Sequence, residues 1–75
     1  RENEDLKIML DEAIQKLPDE SKTIISLYYY NDMSQKEIAE MLNLTQMQIS
    51  RKIKKAFSLL YHMIADSNQN LKGDA

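Results

Sequence analysis

Seventy-five residues, 43% of them hydrophobic, suffice for one small domain with a thin core. With no Cys, one His and one Gly, the chain lacks the means for a disulfide frame, a thiolate metal site or a glycine-rich phosphate loop, so neither metal nor cofactor is expected. No apolar run approaches the roughly 20 residues that span a bilayer and no signal-peptide pattern appears, which fits a cytoplasmic protein with no membrane partner. The chain begins at Arg1 rather than Met, as a piece of a longer protein would.

The net charge of −2 hides a strong polarity. Residues 1–20 set Arg1, Lys7 and Lys16 against seven acids. Residues 46–65 hold Arg51, Lys52, Lys54 and Lys55, and no acid occurs from Met41 to Ala65. Such asymmetry argues for two different partners.

In chain order, residues 2–16 form the first predicted helix. Leu6, Met9, Leu10, Ala13, Ile14 and Leu17 recur at the three/four spacing of one apolar face, and acids crowd the first turn, where the helix dipole favours them. Pro18 breaks this helix and suits the first turn of the next. That second helix, about Pro18–Tyr30, is expected to bury Ile24, Leu27 and Tyr28, with Ile25 on its flank. Three successive tyrosines cannot all face inward, so Tyr29 and Tyr30 point elsewhere, to a protein partner or onto the first helix. Asn31-Asp32 is turn chemistry.

Ser34 opens a third helix with a capping box to Glu37, leading into Ile38, Ala39, Met41 and Leu42. Asn43 is a plausible left-handed stop. Thr45 follows at once with a second box to Gln48. Two capping boxes joined by so short a turn predict a helix-turn-helix, the strongest local signal in the chain. The fourth helix meets no breaker from Thr45 to about Asp66, roughly 30 Å at 1.5 Å per residue. The domain is therefore placed at 1–66, with 67–75 as a flexible C-terminal tail. The expected fold is an all-α, four-helix domain.

Turning the fourth helix by 100° per residue sorts its side chains. Ile49, Ile53, Ala56, Leu60 and Met63 form a core arc flanked by Phe57, Leu59 and Ile64. Met47, Gln48, Ser50, Arg51, Lys54, Lys55, Ser58 and His62 form the opposite arc, with Lys52 at the border. A lysine-rich face alone is usually only solvated. Here it follows a capped short helix and a tight turn, and the combination fits a helix that enters the DNA major groove. Residues near its start would reach base edges, while cations further along meet phosphate. Arg and Gln suit bidentate pairing with guanine and adenine, and a thymine methyl would give exposed Met47 a reason. Ser34, Gln35 and Lys36 at the third helix start could hold a phosphate, or Ser34 could merely cap. His62 has no partner at ligand spacing, and the methionines other than Met47 are expected as core filler.

The stretch "LPDESKTIISLYYYNDMSQKEIAEMLNLTQMQISRKIKKAFSLL" resembles the C-terminal region-four domain of bacterial RNA polymerase sigma factors, of the sigma-seventy superfamily. The landmarks are Leu17-Pro18, "IISLYYYNDMS", "SQKEIAEMLNLTQ", the Ile49/Ala56 spacing and Ser50-Arg51. The resemblance covers about residues 13–62 and is greatest to the alternative sigma factors of Gram-positive stress response and sporulation, with flagellar types close behind. It implies a helix-turn-helix of winged-helix-like type without a wing, acting in transcription initiation at the promoter −35 element. By position, Gln46, Met47, Ser50 and Arg51 would face bases, while Ser34, Gln35, Lys36, Thr45, Gln48, Lys54 and Lys55 would hold the DNA backbone. The family also docks on the β flap of RNA polymerase and is often occupied by anti-sigma factors; the first two helices are the expected docking surface. Lys52 departs from the pattern, standing where relatives usually put an aliphatic residue and leaving Ile53 to compensate. With so acidic a first helix, weak DNA affinity is expected in isolation, raised by tethering to polymerase.

A stand-alone regulator of the LuxR type shares a similar four-helix layout and would dimerise through its last helix. A helical interaction module that no longer reads DNA is a third class. An enzyme fits least, because no nucleophile, base and orienting group can be assembled from these residues.

Overall fold

Four helices follow one another in the computed structural model, which describes the backbone of residues 2–74 and the side chains of residues 4–66. They are α1 (Glu2–Gln15), α2 (Asp19–Tyr29), α3 (Gln35–Leu42) and α4 (Gln46–Asp74). No strand, and hence no wing, occurs among the described residues. The helix-turn-helix lies where the paired capping boxes predict it.

Each helix end has a local cause. The last turn of α1 tightens into bonds from the Lys16 and Leu17 N–H groups to the Ala13 and Ile14 carbonyls, at 3.0 and 3.1 Å. Pro18, with φ of −55°, is the N-cap of α2. It offers no side-chain cap, so Asp19 and Glu20 in the first turn supply the negative charge that this helix start favours. Asp32 takes a left-handed φ of 55° and turns the chain toward α3.

At α3 the reciprocal capping box is complete. The Glu37 N–H donates to Ser34 Oγ at 3.1 Å, and the Ser34 N–H donates to Glu37 Oε1 at 2.8 Å. That backbone donor holds the Glu37 carboxyl below the usual carboxylate range. Beyond Leu42, Asn43 adopts φ 58°, ψ 43°. Its N–H reaches the Glu40 carbonyl at 3.4 Å, and that of Leu44 reaches Ala39 at 2.9 Å, the paired bonds of a Schellman ending. Asn is one of the few residues other than Gly that tolerates this conformation. The α3 side of the motif's turn is therefore fixed by backbone bonds.

Packing completes the bundle. Helix α4 lies against α1, α2 and α3, and its 29 residues, about 43 Å of rod, account for the long 47 Å dimension of the molecule. Ala13, Ile14, Leu17, Ile24, Ile25, Ile38, Ala39, Ile49, Ile53, Ala56 and Leu60 are buried together, with no buried polar side chain among the described residues. Leu10, Leu27, Tyr28, Met33, Leu42, Leu44, Leu59, Met63 and Ile64 pack around them.

The structure departs from the sequence expectations at several points. Ile25 is fully buried rather than flanking, because α2 meets α1, α3 and α4 and so has more than one inward face. Leu6 and Met41, both assigned to the core, are 55% and 60% exposed. Met41 is therefore not core filler, and Phe57, expected to flank the core, is 45% exposed and meets the Tyr28 ring T-shaped at 6.4 Å. The α4 backbone continues to Asp74, past the expected stop near Asp66. The side chains assigned to a C-terminal tail lie outside the described residues.

Replacing Ser34 by Ala removes the acceptor for the Glu37 N–H. It is expected to lower the unfolding free energy by about 0.5–2 kcal/mol. Chemical denaturation checks this, and an unchanged midpoint would mean that the box adds nothing to stability.

Candidate nucleic-acid interface

The second capping box fixes the start of α4. The Gln48 N–H donates to Thr45 Oγ1 at 3.1 Å, and the Thr45 N–H donates to Gln48 Oε1 at 2.9 Å. The side-chain oxygens of Thr45 and Ser34 are thus used as acceptors, while each hydroxyl hydrogen stays free to donate. The Gln48 carboxamide likewise keeps its NH₂ donors.

Once Ile49, Ile53, Ala56 and Leu60 are buried, the rest of the face is fixed by helix geometry. Gln46, Met47, Gln48, Arg51, Lys54 and Lys55 are exposed, Met47 at 64%, and Ser50 is half-buried. On α3 and just before it, Ser34 and Lys36 are exposed and Gln35 is half-buried. Arg51, Lys54 and Lys55 take part in no ion pair among the described residues. His62 is exposed, edge-on to Tyr61 at 5.7 Å.

Lys52 behaves differently. Its stem is only partly exposed, as expected for the border of the apolar arc, but its ammonium does not simply reach into water. It donates to Glu20 Oε1 of α2 at 2.9 Å. Ile53 beside it is buried and fills the core at this level. The pairing joins residues 32 positions apart, so no local pattern in the sequence pointed to it.

At the acidic end, Tyr30 donates its phenol to Asp11 Oδ1 and Lys7 donates to Asp11 Oδ2 at 2.9 Å. Tyr30 therefore does pack on the first helix, while Tyr29 meets it edge-on at 5.0 Å. The Tyr30 bond, then Lys7, holds the Asp11 carboxyl below its ordinary range, and the same bond pushes the Tyr30 phenol up to about 12. Leu6, Ile8, Tyr29 and Tyr30 leave exposed apolar surface among these acids.

A short capped helix, a left-handed turn and a long helix with an acid-free basic face define a helix-turn-helix domain of the DNA-binding class. The family described as Sigma-70, region 4 matches residues 13–62, and the chain belongs to that family. It is 49% identical over 49 residues to the RNA polymerase sigma-F factor of Bacillus subtilis (strain 168), covering 65% of this chain and 19% of that protein. The sigma-F factor of Priestia megaterium is 47% identical over the same shares. The sigma-B factor of Bacillus subtilis is 36% identical over 66 residues, 87% of this chain and 25% of that protein. The chain thus spans between 19% and 25% of the length of these relatives. No solved structure matches it significantly.

The family is one of transcription factors rather than enzymes, and its work is recognition of the promoter −35 element in transcription initiation. These findings give no support to the LuxR-type alternative. Among the described residues, no helix is long and apolar enough to cross a membrane, and no cluster of His, Cys, Asp or Glu could hold a metal ion.

Proposed function

We propose that this chain reads the promoter −35 element with the outward face of α4 while α1 and α2 dock on the β flap of RNA polymerase. Gln46, Met47, Ser50 and Arg51 meet base edges; Ser34, Gln35, Lys36, Thr45, Gln48, Lys54 and Lys55 hold phosphate and sugar. One observation carries this reading: Arg51, Lys54 and Lys55 stand exposed without ion pairs among the described residues, on a helix face that has no acid. A protein that keeps three cations unneutralised on one face offers a binding surface for a polyanion.

The acidic half supports the second partner. Glu4, Asp5 and Glu12 are exposed on α1, and the exposed apolar side chains of Leu6, Ile8 and Tyr29 stand near this negative charge, a combination poor for DNA and suited to a protein. An anti-sigma factor is a further partner for this domain, competing with polymerase or DNA. The domain works in the cytoplasm and needs no cofactor. The comparatively small cationic face makes its own DNA affinity weak, and tethering through polymerase raises the local concentration.

NMR titration of the labelled chain tests both halves. A β-flap fragment is expected to shift resonances within residues 5–30, and a promoter duplex those within 34–55. A silent spectrum at high flap concentration would exclude the docking role, and shifts confined to α1 on adding duplex would exclude α4 as the DNA helix.

A further inference from the structure

The ion pair between Lys52 and Glu20 is unused by the function proposed above, and it changes the charge that α4 presents. Of the four cations at 51–55, three are free among the described residues and one is held by α2. Lys52 is not remote from the DNA face. Gln48 lies one turn before it and Lys55 one turn after it on the same flank, so a freed ammonium would reach the strip of surface assigned to phosphate.

We propose that Glu20 is a positioning residue of the DNA interface, withholding Lys52 from phosphate by an intramolecular ion pair. The inference rests on the assignment of Lys54 and Lys55 to phosphate. Glu20 is suited to the task. It sits in the first turn of α2, where the helix dipole stabilises a carboxylate whether or not Lys52 is present. The 2.9 Å pair is exposed on both sides, at 34% for the Lys52 side chain and 64% for that of Glu20. Such a pair adds little to stability, so its removal leaves the fold in place. Its effect is on the count of available cations, and each cation delivered to phosphate steepens the salt dependence of binding by about 0.9.

The test is a salt titration of duplex binding by fluorescence anisotropy, with the full chain and a short mixed-sequence duplex. Mixed sequence suffices because counterion release is independent of base identity. Lys52→Met is expected to keep the wild-type slope of log affinity against log salt. Glu20→Gln is expected to steepen it by about 0.9, an advantage that changes about eightfold per tenfold change in salt. Glu20→Gln in the Lys52→Met background is expected to lack the steepening of about 0.9; the effect of losing the Glu20 charge itself is common to both backgrounds and cancels in the cycle.

A flattened slope in Lys52→Met would overturn the proposal, since Lys52 would already be on phosphate. An unchanged slope in Glu20→Gln would overturn it as well. Lys54→Ala separates the two levels, with an expected flattening of about 0.9. If Lys54→Ala flattens the slope and Glu20→Gln does not steepen it, only the withholding fails. If neither moves, the phosphate face itself is misassigned.

Discussion

Ile49→Ala is expected to destabilise the fold by about 2–5 kcal/mol, the range for deleting a fully buried branched side chain. Ile49 has no exposed surface and sits one turn into α4, where the recognition helix first meets the core. The loss combines the transfer energy of the removed carbons with a cavity that a small bundle cannot easily close. In a domain whose total stability is on the order of 5 kcal/mol, this is a large fraction of the whole, and a loss at the upper end of the range would leave the variant largely unfolded. Thermal melting followed by circular dichroism checks this. A melting temperature that does not move would mean that the phase of α4 is wrong, and with it every outward residue assigned here.

Arg51→Ala is expected to have the opposite profile, stable but less selective. Arg51 is exposed, caps nothing and pairs with nothing among the described residues, so its removal should leave melting unchanged. A guanidinium paired bidentately with guanine contributes about 1–3 kcal/mol of discrimination. The affinity ratio between a −35 duplex and its scrambled counterpart should fall by that amount. Equal weakening on both duplexes would move Arg51 from base reading to phosphate holding.

The parts of the fold that rest on neighbouring residues were legible in the sequence. Both capping boxes form as the spacing of Ser34 with Glu37 and Thr45 with Gln48 implied, and Asn43 takes the left-handed turn assigned to it. These features are chemical relations within one helical turn. The core arc of α4 was equally readable, since Ile49, Ile53, Ala56 and Leu60 obey a simple rotation and all are buried.

What escaped the sequence depends on which helix meets which. Leu6 and Met41 satisfy the periodicity of an apolar face but lie where no other helix covers them. Periodicity reveals an inward direction and not how far along the helix a partner extends. Ile25 shows the converse, being buried from a second side by the crowding of α2. The Lys52–Glu20 pair needed the α2–α4 packing to be known before either charge had an address. The α4 end has a different cause: the polar residues after Asp66 suggest a stop, but nothing before Gly73 breaks a helix.

The outward residues of α4 alternate along one rod with those that hold the bundle together. Substitution and insertion are therefore very different events in the descent of this segment. On the proposed reading, replacing the exposed Met47 or Arg51 alters what is recognised and leaves the core seam intact. Adding a single residue after Ile49 rotates everything beyond it by about 100°, carrying Ile53 toward the position of Lys54 and bringing Lys52 into the seam. Promoter preference can drift one side chain at a time, while the length of the helix between its first core contact and its last is held fixed by the same residues that keep the domain folded.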